Sequence, residues 1–303
     1  MDVLTLPETV TEQSHAAKVK VSTARQHPFR YAVSAMLAGM YIGVGVVLML
    51  ATAGPFLAAG DPACQLVSGV VFAAALTLVV FAGSELATSA MMILSQGVAT
   101  RAVRFTTAVG TLALCLVGNL LGSMAFAWMV VQSKVLESNP AAHEMLASML
   151  DHKAHETAGE MFFRGVLCNI LVCAAIWACG RLKTEVGRAI VIFWAVFAFI
   201  ASGFEHVVAN MTTFSLGLFT GDMTTWATFG ENVVWVGLGN LVGGAVVVGL
   251  GYVVVAGRIT PASTGGAPDG SLGSGHGGAA EPSTAVDVDI DAAPGRSGAD
   301  TLT

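Results

Sequence analysis

In the stretch SGFEHVVANM, Glu205 and His206 stand side by side inside an apolar run over 189–219 in which nothing else ionises. Glu85 interrupts a second apolar run, 66–99, in the same way. A charge in hydrocarbon costs between about 2.5 and 17 kcal/mol, and ionisable groups at such depth are functional by default. Histidine is the side chain that exchanges a proton near neutral pH. The bland reading of His206 is a packing histidine bonded to a backbone carbonyl. For Glu85 and Glu205 it is a structural one, accepting hydrogen bonds from backbone amides freed where a helix breaks.

The elements that hold these residues follow from composition. Hydrophobic residues make up 54% of the 303, charged residues 11%, and mean hydropathy is +0.72, which describes an all-α polytopic membrane protein rather than a soluble domain. Nucleic acid is an unlikely partner for a chain of net charge -6. Six apolar stretches run over 31–53, 66–99, 105–131, 161–179, 189–219 and 232–255. A bilayer core of about 30 Å takes about 20 helical residues. At about 1.5 Å per residue, the second and fifth stretches would reach about 50 and 46 Å, so each is expected to be broken. Glu85 and Glu205 lie near the two middles.

The segment 1–30 is polar, its acids in a stretch that looks unfolded, and it does not read as a cleavable signal peptide. The membrane domain covers 31–257. The segment 258–303 is rich in Gly, Ser, Pro, Ala and Asp and reads as a disordered cytoplasmic tail. Ten of the thirteen Lys and Arg flanking the spans fall on the side of the N-terminus, against Lys134, Lys153 and Arg164. That bias places both termini in the cytoplasm and 132–160 outside. Four cysteines lie in apolar stretches and only Cys64 in a loop, which suggests no disulfide framework.

The chain repeats itself. AGSELATSAMM (82–92) aligns with SGFEHVVANMT (202–212) at an offset of 120, and VGNLLGS (117–123) with LGNLVGG (238–244) at 121. Three spans separate equivalent positions, so the halves are expected to face opposite ways, as inverted three-helix repeats. Substrate sites in such folds lie where matching broken helices meet.

AGSELATS, FFRGVLCNILVCAAIW, IASGFEHVVANM and GNLVGG resemble the signature segments of the formate/nitrite transporter family, over about residues 25–257. The AGSEL spelling, SGFEHVVANMT and ENVVWVGLGN are closer to its nitrite branch. The resemblance implies a homopentamer in the bacterial inner membrane, with six spans and one pore per protomer, an aquaporin-like fold without NPA pairs, and no cofactor. The cargo it implies is a small monovalent anion of a weak acid, nitrite first, with formate, lactate or hydrosulfide as alternatives. It makes His206 the pore histidine, Thr88 its hydrogen-bonding threonine, and Asn169 and Asn240 asparagines near it. Lys153 becomes a lysine at the outer approach, Phe72, Leu76, Leu86 and Phe199 apolar constrictions, and 85–92 a flexible gating segment.

Such a pore is chemically intelligible. A bare anion in an apolar constriction loses its hydration and aliphatic walls return nothing, whereas a histidine between constrictions can lend it a hydrogen bond or a proton. Exposed helix N-termini favour anions, and Lys153 with Arg164 would concentrate them at the mouth. Other readings stay open. Asn119, Asn169 and Asn240 also fit interhelical glue beside small residues, and Gly39, Gly43 and Gly45 fit close helix packing. His143, His152, His155 and Glu156 read as a solvated helix rather than a metal site. An intramembrane hydrolase pairing a serine with His206 is the rival class, but no GxSG occurs within the spans.

Overall fold

The computed structural model describes residues 3–221 and 223–257, and the reading of 258–303 as a disordered tail lies outside them. The described residues are helical. In order they form α1 (Leu6–Gln26), α2 (Pro28–Ala58), α3 (Ala63–Phe81), α4 (Ala87–Ala99), α5 (Phe105–Gln132), α6 (Pro140–Ala154), α7 (Ala158–Arg181), α8 (Glu185–Ala201), α9 (Val207–Thr220) and α10 (Trp226–Leu241). A π-helical segment, Val242–Leu250, then leads into α11 (Gly251–Ala256). The second apolar stretch divides into α3 and α4, the fifth into α8 and α9. Their continuity fails over 82–86 and 202–206, the places expected from their length and buried charge.

Five helices are long and apolar enough to cross a bilayer, and the best window of each is 50% buried or less. The uncovered remainder, with residues such as Phe105, Trp194 and Val254 on it, faces lipid or a neighbouring subunit. Inside, small residues set the spacing. A Cβ on Gly122 would overlap the carbonyl oxygen of Met36, and one on Gly239 that of Phe162, so α2–α5 and α7–α10 pack backbone to backbone. Gly39, Gly43 and Gly45 likewise lie against Asn119, Phe126 and Ala75.

The N-terminal segment corrects the expectation of an unfolded end. Thr5 and Glu8 form a capping box at the start of α1, with Pro7 in its first turn. Thr9, Val10, Gln13, Ala17, Val21 and Ala24 form a buried stripe on it. That stripe holds no large hydrophobic residue, which is why it reads as polar. It packs against α4, α5, α7 and α11.

Candidate functional site

Each break is built from the same parts. The chain leaves α3 through Gly83 at φ +69° and α8 through Gly203 at φ +70°, left-handed turns that favour glycine. In the first, the side-chain amide of Asn119 donates to the carbonyls of Ala35 (2.8 Å) and Glu85 (2.9 Å), and its oxygen accepts from the Ala87 amide (2.9 Å). In the second, Asn240 donates to the carbonyls of Gly165 (2.8 Å) and Glu205 (2.9 Å) and accepts from the Val207 amide (2.9 Å). The Glu85 amide donates to Ser34 and the Glu205 amide to Arg164, both at 3.3 Å. One asparagine per half thus satisfies the groups the break frees, as buried backbone groups require.

That arrangement leaves the carboxylates with a different task from the one expected. Neither Glu85 nor Glu205 accepts from a freed amide. Glu85 pairs with Lys20 of α1 at 2.5 Å, and Glu205 takes Lys153 of α6 on both oxygens, at 2.6 and 2.5 Å. Glu205 also accepts from the amide of Asn210 (2.6 Å), which donates in turn to Asn232 (2.8 Å). Lys153, expected to attract anions as a free charge, is spoken for. So is Arg164, bonded to Glu156 at 2.5 Å.

Nor is 85–92 a loop along its length. Only 84–86 is coil, and 87–92 forms the first turns of α4, buried throughout and clamped by Asn119.

His206 occupies the N-cap of α9. Its Nδ1 accepts from the Ala209 amide (3.2 Å), so the proton of the neutral ring sits on Nε2, which lies 3.0 Å from the Thr88 hydroxyl of α4. Thr88 then accepts from the ring and keeps its own hydrogen for another acceptor. Asn169 of α7 fixes this meeting point by donating to the carbonyls of Thr88 (3.2 Å) and Asn240 (2.7 Å). The four apolar candidates, Phe72, Leu76, Leu86 and Phe199, are buried in one cluster with the histidine's neighbours. Phe199 stacks beside His206, centroids 6.0 Å apart, and Phe72 meets Phe199 edge-on at 6.1 Å.

A cavity of about 300 Å³ reaches this ring, lined by Phe72, His152, Lys153, Glu156, Arg164, Glu205 and His206 among others. Its charges are matched pairs rather than a bare positive funnel. Burial, followed by the nearby charge of Glu205, raises the Glu156 carboxyl above its usual value, against the opposing charges of Lys153, Arg164 and His152. Among the described residues no group of three His, Cys, Asp or Glu is placed to hold a metal. His206 Nδ1 is oriented by a backbone amide rather than a carboxylate, so the Thr88–His206 pair lacks the third member of a hydrolytic triad.

Sequence reasoning missed Lys20, Asn210 and Asn232; its reading of Asn119 as glue between helices holds for the bond to Ala35 of α2 but did not include the bonds to the break. For Lys20 the repeat offers little signal, because it lies 65 residues from its glutamate and Lys153 only 52 from its own.

An all-helical membrane bundle whose two broken helices meet at a histidine walled by apolar side chains is the architecture of a transport protein. The family described as Formate/nitrite transporter matches residues 7–254, and the chain belongs to that family. It is 38% identical over 252 residues to the nitrite transporter NirC of Escherichia coli (strain K12), covering 79% of this chain and 88% of that one. Among solved structures it is similar to an FNT family ion channel, with TM-score 0.76 and 35% identity over 84% of this chain and 99% of that one. It is also similar to a pentameric formate channel with formate bound, at TM-score 0.68 and 28% identity, over 77% and 98%.

Proposed function

We propose that the protein moves small monovalent anions of weak acids, nitrite first and formate next, through a pore in each protomer of a homopentamer. The bond between His206 and Thr88, inside apolar walls and beside a cavity open to one face, carries this reading. An anion passing Phe72 toward Phe199, Leu76 and Leu86 loses water, and the free Thr88 hydrogen, backed by the ring proton, is the donor it meets. Lys153 neutralises Glu205, so the glutamate beside the histidine does not repel the cargo. Asn169 and Asn240 hold the donor in place. The name of the Escherichia coli relative supports nitrite, and the formate-bound structure supports formate and the pentamer. The duplicated asparagine clamp supports two inverted three-span halves, and the basic-residue bias supports cytoplasmic termini in a bacterial inner membrane.

Anion flux into liposomes, for nitrite and for formate across a range of pH, tests it with His206→Asn. Asparagine still caps α9 but carries no exchangeable ring proton. The variant is expected to fold and assemble, and to lose the pH sensitivity of flux that the wild type shows. A wild-type pH profile in the variant would make His206 a packing residue.

A further inference from the structure

A second cavity, of about 520 Å³, lies on the outside of the bundle between α1 and the start of α5, apart from the anion path. Lys18, Ser22 and Arg25 line it from one face of α1, at i, i+4 and i+7, together with Gln26. Arg104, the N-cap of α5, and Thr107 in its first turn line it from the other side. Lys18, Ser22, Arg25 and Arg104 are exposed, and no carboxylate is among the lining residues. The chain has no Asp or Glu from residue 13 to 60, nor between Glu85 and Glu137. Lys20, on the same helix, is already paired with Glu85. Three cations therefore face one cleft with nothing in its lining to neutralise them.

Two guanidinium forks, an ammonium, the Ser22 hydroxyl and an amide are donors suited to tetrahedral phosphate oxygens, which arginine binds in bidentate fashion, while the Thr107 hydroxyl is already given to the Arg104 carbonyl. Nitrite or formate is far too small to fill the cleft. Its position points to the source of the phosphate. Met36 packs on Gly122 and Ala35 on Gly118, so α2 and α5 run parallel and both begin at this end of the bundle. Phe105, next to Arg104, is 69% exposed, and Val109, one turn on, is 49% exposed. An apolar strip thus leads from the basic cleft along a helix that crosses the membrane. Basic pockets beside such helices suit anionic headgroups.

We propose that this cleft binds a phosphate group, that of an anionic phospholipid whose acyl chains lie along Phe105 and Val109. The proposal is independent of which anion the pore carries.

Native mass spectrometry of the full chain, released from micelles doped with phosphatidylglycerol or with phosphatidylcholine, tests it, alongside thermal shifts with inorganic phosphate. Wild type is expected to retain phosphatidylglycerol over phosphatidylcholine. Arg25→Gln/Arg104→Gln should weaken that retention by about tenfold or more, while Arg101→Gln, a neighbouring cation outside the cleft, should leave it intact. If the double variant does not fold, Arg104→Gln alone is compared in the same way. Stabilisation by inorganic phosphate that the cleft variant abolishes, without a lipid preference, would overturn the lipid source. Equal lipid retention and equal phosphate response in wild type and cleft variant would overturn the site itself.

Discussion

Glu85 and Glu205 stand at the same turn of the two halves, after the same left-handed glycine, under the same asparagine clamp and opposite a lysine from a helix outside the spans. One residue further on the halves diverge. Leu86 begins α4 with no side-chain cap, whereas His206 begins α9 with its ring as the cap. Thr88, two residues past Leu86, supplies the hydroxyl that the histidine reaches. The second ion pair is also drier, its side chains 9% and 8% exposed against 15% and 20% for the first. The scaffold is duplicated and the chemistry is not. A repeated break provides two helix starts, one opening on the apolar Leu86 and the other on a histidine whose ring donates to Thr88 of the first.

The sharpest way to break the comparison is to remove the clamps. Asn119→Ala and Asn240→Ala each remove the side-chain partner of a backbone amide and of a carbonyl at the break, and each orphaned buried group costs about 1–3 kcal/mol. Both variants are expected to lose a large part of their thermal stability in detergent, and to similar extents. A much smaller loss in one half would end the equivalence of the two breaks. The counter-charges come next. Removing one partner of a buried pair costs about 3–5 kcal/mol, so Lys153→Met should fall in that range. Lys20→Met should cost less, because water reaches Glu85 more readily. Equal melting temperatures would show that depth does not separate the pairs.

The smallest expected effect concerns Glu156, whose counterpart the first half lacks. Its carboxyl is raised by burial, so the folded protein bears a cost once pH rises past the ordinary carboxylate range and through the raised value. Acidification back through that window removes it. Wild type should therefore gain stability as pH falls through this window, and Glu156→Gln should flatten that slope. An unchanged slope in melting temperature against pH would assign it to another group.

The breaks were legible in the sequence because two runs were too long for one helix and carried matching Gly-x-Glu spellings. His206 was legible as a rare ionisable group at membrane depth. The asparagines were visible as a repeated pair, but their partners are backbone atoms, which no side-chain pattern marks. Lys20 was hidden twice. Its helix buries alanine, valine and threonine rather than large apolar residues, and its spacing from Glu85 differs from that of its counterpart. The π-helical stretch was invisible for another reason. Gly244 lies against Asn169 and Gly249 against Ser95, so it reflects contacts made only after the halves close.

The order of the ion pairs along the chain bears on biogenesis. Lys20 is synthesised before Glu85, and Lys153 before Glu205. Chains are made and threaded into the bilayer from the N-terminus, so each glutamate leaves the ribosome with its lysine already translated on an earlier helix. The insertion machinery is never left holding a carboxylate whose partner is still to be made, at the stage when an unmatched charge in lipid is most expensive.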